Sequence, residues 1–173
     1  MSETEIRTRR LLLRPIVPRD SGLITQLVGD PRIHRMLARV APGQTKAQTL
    51  AWIMTHERGR IDDIDHVFAI TLGGEFLGVI GAHRTGPDQP FEIGYWLAPD
   101  AWGQGICSEA GAAIIAWLER TRGARVLVAG HFADNPASGR VLAKLGFLPC
   151  GRDKMHCAGR GERVEHILMA RIA

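Results

Sequence analysis

One short stretch, Trp102-Gly-Gln-Gly-Ile-Cys-Ser108, stands immediately ahead of an apolar run, Gly111 to Glu119, that reads as a helix. Gly103 and Gly105 suit a sharp exit from a strand into a helix. The small residues Cys107 and Ser108 leave room in front of the first helical turn. Such a turn carries unpaired main-chain N–H groups and the positive end of the helix dipole, which together bind phosphate or pyrophosphate. Turning alone also accounts for the glycines, and the spacing leaves the two readings level. A P-loop is excluded by the missing G-K-[S/T]. A dinucleotide fingerprint would need glycine at Ser108 and a place in the first strand–helix turn, whereas several strands precede this one.

Two further groups carry chemistry. Asn135 followed by Pro136 is a good cap and first-turn pair, expected to accept a bond from the amide of Ala137 or Ser138. Ser138 itself reads as a first-turn helix residue. On the run Phe91 to Leu97, Glu92 shares a strand face with Gly94 and Trp96, opposite Phe91, Ile93, Tyr95 and Leu97. By itself it is a solvated carboxylate at a strand end. Tyr95, Trp96, Trp102 and Trp117 read as packing aromatics.

The elements that must position these residues follow from pattern and punctuation. The stretch 10–18 predicts a first strand, ended by its prolines. Asp20 and Ser21 offer a cap to a short helix over 22–29, and 31–40 predicts a second helical piece before the Pro42-Gly43 turn. Thr45 caps a helix over 46–60 whose Leu50, Ile53 and Met54 fall on one face. Runs 66–72 and 75–83 form a hairpin about Gly73-Gly74, and 91–97 is the next strand. A helix to about Arg122, a strand over 124–132, a helix closed by Gly146 and a final strand over 163–172 complete the pass. The expected architecture is mixed α/β, or α+β: a single domain over 1–173 with a mostly antiparallel sheet and one strand–helix–strand passage in its middle.

Bulk properties narrow the function. The 173 residues suffice for one core, and 45% hydrophobic with 23% charged residues is ordinary for a globular chain. The net charge is +4, but the basic residues are scattered among acidic ones, so no stripe for nucleic acid is expected. Cys107, Cys150 and Cys157 form no even framework, which favours a reducing, cytoplasmic setting. His156 and Cys157 with Cys150 lack metal-ligand spacing, so no metal is expected. The charged N-terminus reads as no signal peptide, and no segment approaches a membrane span.

Taken together, "FEIGYWLAPDAWGQGIC" and "NPASGRVLAKLGF", in that order, resemble the GNAT superfamily of acyl-CoA-dependent N-acetyltransferases, and within it the RimJ/RimL-like branch that acetylates protein N-terminal amines. The opening "RTRRLLLRP" extends the likeness over nearly the whole chain. Three positions depart from the pattern. Trp102 opens the loop where the wider superfamily has Gln or Arg, Cys107 replaces Gly or Ala, and Leu142 stands where many members place a tyrosine.

The resemblance implies a central sheet splayed in the middle and flanked by helices. Acetyl-CoA is then the acyl donor, with its pyrophosphate on amides of Gly103, Gln104, Gly105, Ile106, Cys107 and Ser108 beside Trp102. Its pantetheine arm runs along the strand at Trp96 and Leu97, and Asn135 meets the arm from the far side. Glu92, about 16 Å from Leu97 at strand rise, is the implied base through a water. Ser138 is the implied donor to the leaving sulfur, and a main-chain N–H near Trp96 or Leu97 the oxyanion donor. Trp96 and His131 are candidates for the acceptor pocket. The acceptor is an amine, in the first place a protein N-terminal α-amine. The remaining alternatives are an antibiotic, polyamine or amino-acid acceptor, a non-catalytic acyl-CoA sensor and, last, a nucleic-acid module. A homodimer is compatible with all of them.

Overall fold

Leu11 and Leu13 are buried while Leu12 and Arg14 are only partly covered, the alternation of a half-covered strand. In the computed structural model, which describes residues 5–173, this segment is β2 (Leu11–Pro15). It pairs antiparallel with a short β1 (Ile6–Arg7) and with β3 (Asp65–Leu72). Met1 to Thr4, the head of the segment read as no signal peptide, lie outside the described residues. Asp20 does not cap α1 (Ser21–Val28) with its side chain. Its carboxylate instead accepts two bonds from the Arg14 guanidinium at 2.8 Å and one from the Val17 amide at 2.9 Å. Burial alone would raise its pKa, but these three donors hold it below the usual range.

The second helical piece is shorter than the pattern suggests. α2 (Pro31–His34) stops after one turn. The carbonyls that would continue it are taken by distant groups: Arg160 Nε donates to the Arg35 carbonyl at 2.7 Å, and the Ala158 amide donates to Ala38 at 2.9 Å. Thr45 caps α3 (Lys46–Met54) in a reciprocal box with Gln48. The buried face of this helix is Thr49 and Ile53, however, and Leu50 and Met54 are exposed. The Thr49 hydroxyl bonds that of Thr25 on α1 at 2.8 Å, and this contact rotates the helix away from the face its apolar residues suggest. α4 (His56–Ile61) continues it.

β3 and β4 (Glu75–His83) form the expected hairpin, its turn made by Gly73 and Gly74 at φ 59° and 91°. β5 (Phe91–Leu97) follows antiparallel to β4. α5 (Ile106–Arg122) then crosses to β6 (Val126–Phe132), which runs parallel to β5. After α6 (Pro136–Lys144) come β7 (Leu148–Cys157) and β8 (Glu162–Ile172), paired antiparallel. The sequence pattern gave no strand at β7, because Pro149 and Gly151 interrupt any alternation and most of its residues are polar and exposed. Pairing with β8 supplies what the local sequence lacks.

The sheet order is β1-β2-β3-β4-β5-β6-β8-β7. One face packs under α5 through Leu13, Ile70, Ile80, Ile93 and Ile114. The other packs under α1 and α3 through Ile24, Ile53, Val67 and Val79. β5 and β6 pair only from Phe91 with Leu127 to Ile93 with Ala129, and beyond that point they part. The sheet is therefore split at its middle, as the resemblance implied. No described helix is long and apolar enough to cross a membrane.

Candidate active site

The loop before α5 owes its shape to Gly103 and Gly105, both left-handed at φ 73° and 74°, where a side chain would be strained. No described side chain caps α5, and the Glu109 amide is the first to bond within it, at 3.0 Å from the Gly105 carbonyl. The amides of Ile106, Cys107 and Ser108 are consequently the free first-turn donors. Ile106 spends its side chain in the core.

Arg10 braces this loop from below. Both its terminal nitrogens donate to the Gln104 carbonyl at 3.2 Å, and its Nε donates to Glu109 at 2.6 Å. The Thr8 hydroxyl chiefly, with Arg10, pulls the Glu109 carboxyl down to about 2, so its charge is already matched and does not repel an anion at the helix start. Gln104 turns its own side chain to the Asp100 carbonyl at 2.8 Å. The Trp102 indole N–H donates to the Leu97 carbonyl at 3.0 Å, with Arg32 lying 6.0 Å over its ring. Burial pushes the Cys107 thiol up to about 12, which leaves it a poor nucleophile.

A cleft of about 850 Å³ runs from this loop through the split to the opposite face of the sheet. Main-chain direction along β5 decides what it meets. The Ala98 amide donates to Leu77 of the β4 side at 2.8 Å, and the Trp96 carbonyl also turns towards β4, against Gly78. Strand alternation therefore turns the N–H and C=O of Tyr95 and Leu97 the other way, into the split. The main-chain donor expected near Trp96 or Leu97 is thus that of Leu97, while Trp96 packs its ring near Phe76 at 6.2 Å and lines the far end of the cleft.

On the helix side, Asn135 Oδ1 accepts the Ser138 amide at 3.2 Å, the cap that its sequence predicts. Ser138 has a partner that sequence reasoning missed: the Tyr95 hydroxyl lies 2.9 Å from its Oγ and 3.1 Å from its carbonyl oxygen. Burial raises the phenol well above its usual range, so it stays protonated. Leu142, at the position where the resemblance implies a tyrosine in many members, is fully buried in the core. Arg140 and Lys144 of α6 also line the cleft. His131 lines the cleft too, with its ring packed against Gly139 of α6. The one tyrosine in the chain, beside a strand end that faces α6, was the available signal for the missed pair.

On the other face, Glu92 is exposed and lines the cleft beside Gly94, where an added methyl group would meet nothing. The same end is lined by Arg35, Phe132, Met155 and His166. His166 belongs to a strand that was expected, but its partner Asp153 lies on β7, which was not.

The model of the acetyltransferase (GNAT) domain family matches residues 10–148. The chain is 28% identical over 148 residues to the uncharacterized N-acetyltransferase YoaA of Bacillus subtilis, covering 82% of this chain and 81% of that protein. It is 36% identical over 97 residues to a ribosomal-protein-serine acetyltransferase of Escherichia coli, a match spanning 56% of this chain and about half, 52%, of that protein. Among solved structures, an α-N-protein acetyltransferase of ribosomal L7/L12 in complex with coenzyme A superposes with a TM-score of 0.86 at 24% identity, over 97% of each chain. A sheet split beside an uncapped helix start and a family match over most of the chain lead to one assignment: this chain belongs to the GNAT acetyltransferase family and is an acyltransferase.

Proposed function

We propose that the protein transfers the acetyl group of acetyl-CoA directly to a primary amine, and that the acceptor is the α-amine of a protein N-terminus. The observation that carries the reading is the split between β5 and β6, with free helix-start amides on one face and a carboxylate on the other. The residues present fit the donor. Amides from Gly103 to Ser108 suit a pyrophosphate, and Arg10 has already neutralised the nearby Glu109. The main-chain donors of Tyr95 and Leu97 suit a pantetheine arm, and Trp102 closes the loop beside them. Asn135 acts by fixing the first turn of α6. When bound, acetyl-CoA supplies an activated thioester.

The protein's own groups supply the proton traffic. A β5 main-chain N–H turned into the split steadies the oxygen that gains charge. Ser138, backed by a Tyr95 phenol that stays protonated, hands a proton to the departing sulfur. Glu92 draws a proton from the amine side through water. Cys107 forms no acyl-enzyme, since burial holds its thiol protonated.

An α-amine is about a tenth neutral at pH 7, whereas a lysine is neutral about once in two thousand, so a modest carboxylate relay suits the former. The relative that acts on a ribosomal-protein serine points to the same class of acceptor. The experiment is a panel of N-terminal peptides and small amines incubated with acetyl-CoA while free thiol is followed. We expect transfer to unblocked peptides and none to the same peptides with a capped α-amine. Glu92→Gln is expected to cost about 10²-fold in kcat/KM with CoA affinity unchanged. A protein that releases no thiol with any of the peptides would sink the reading.

A further inference from the structure

We propose that His166, oriented by Asp153, is a second base of the transfer, receiving a proton from the acceptor's ammonium group where β5 and β6 part. The inference rests on the acetyl-transfer reading and adds to it a residue from the far side of the sheet. His166 stands opposite Phe132 in the β6–β8 pairing, with 6% of its side chain exposed. Its Nδ1 lies 3.0 Å from Asp153 Oδ1. An ionised carboxylate can only accept, so Nδ1 carries the hydrogen and the lone pair of the neutral ring falls on Nε2. Nε2 lies over Gly130: a side chain there would collide with it.

Gly130 is the first residue of β6 beyond the last pair with β5, Ile93 with Ala129. Across the split the corresponding residue is Gly94, which borders open space. Two glycines thus clear the floor of the acceptor side, and the imidazole nitrogen stands over one of them. Phe132, with ring centres 5.9 Å apart, and Asp153 hold the ring in place. Asp153 of β7 bonds it, and Glu92 of β5 and Arg35 of the segment after α2 line the same cleft. Arg160 lies 5.2 Å over the Phe132 ring with its guanidinium taken by Asp134. On this face β6 presents Val126, Val128, Gly130 and Phe132, none of them charged.

The reaction has work for two bases. The ammonium R–NH3⁺ gives one proton to Nε2, leaving R–NH2 and an imidazolium. The amine nitrogen then bonds the thioester carbonyl carbon, and the C–S bond breaks with its electron pair going to sulfur. A second proton leaves the nitrogen through water to Glu92, while sulfur takes one from the Ser138–Tyr95 hydroxyl pair, which refills from solvent. Amide and thiol result, with one proton released overall. An imidazole is in general a stronger base than a carboxylate, and so the better receiver of an ammonium proton.

Three measurements test the proposal. In the ligand-free protein, ¹⁵N-resolved imidazole NMR is expected to place the neutral ring's hydrogen on His166 Nδ1, and Asp153→Asn is expected to shift that tautomer balance. With a peptide acceptor, kcat/KM is expected to show an acid limb that stays put when acceptors of different amine basicity are exchanged. His166→Gln is expected to lose that limb and about 10²-fold in kcat/KM, with CoA affinity unchanged. Imidazole in the buffer is expected to restore part of the activity of His166→Ala. A neutral-ring hydrogen on Nε2 in the wild-type protein overturns the proposal without recourse to any variant. So does a folded His166→Gln that keeps the wild-type rate and limb, and in that case the acetyl-transfer reading stands. A wild-type protein that acetylates no amine overturns both.

Discussion

Cys107 illustrates how a residue's surroundings decide its chemistry. A thiol at a helix start is often activated, because the dipole favours the thiolate. Here burial dominates and pushes it up to about 12. Cys150, by contrast, is exposed on β7. Iodoacetamide at pH 8 is therefore expected to alkylate Cys150 and to leave Cys107 untouched in the folded protein, as read by peptide mass spectrometry. Incubation with acetyl-CoA is expected to leave no acetyl group on Cys107, and a stable acetyl adduct there would contradict direct transfer. The cap at Asn135 was legible because it needs only residues three apart. The Tyr95–Ser138 contact spans 43 residues, and no local pattern encodes it.

At the scale of elements, α3 is positioned by a polar contact with α1 as well as by its apolar Ile53. Ile53→Ala is expected to cost about 2–4 kcal/mol and Met54→Ala less than about 1 kcal/mol in urea unfolding, since Ile53 is buried and Met54 is not. The opposite ranking would restore the face that the sequence suggested.

His56, at the start of α4, is buried with neither ring nitrogen bonded to a described residue, and desolvation lowers it from 6.5 to about 4. The unfolded chain takes up a proton near pH 6.5 that the folded one refuses until about pH 4. The resulting stability is present above pH 6.5 and falls away between about 6.5 and 4, by no more than about 3 kcal/mol. His56→Leu is expected to flatten that window of the urea midpoint against pH. An unchanged slope would place the acid sensitivity elsewhere.

For the molecule as a whole, the split sheet makes ligand binding and stability one measurement. Both sides of the cleft, β5 with α5 and β6 with α6, meet a ligand lying between them, so binding ties the halves together. Free CoA at 100 times its Kd is expected to add about 2.7 kcal/mol to stability, and roughly 5–10 °C to the melting temperature for a chain of this size. Desulfo or dephospho fragments are expected to give less, in proportion to their weaker binding. No shift at millimolar CoA would remove the cleft from consideration as a donor site.

The sequence by itself determined what short-range physics controls. Glycines shaped the turn before α5, Asn135 and Thr45 started their helices, and β-rich runs set β4 and β5 at their observed limits and β3 within one residue of its own. Tertiary structure alone decided the rest. β7 exists because β8 offers it a ladder, α2 ends because Arg160 and Ala158 claim the carbonyls that follow it, and α3 turns its threonine inward to meet α1. The same holds for Tyr95 on Ser138 and for Asp153 on His166. Hydrogen bonds between residues far apart in the chain need elements that only the tertiary structure brings together. Their geometry is a property of the register, which one-dimensional spacing does not carry.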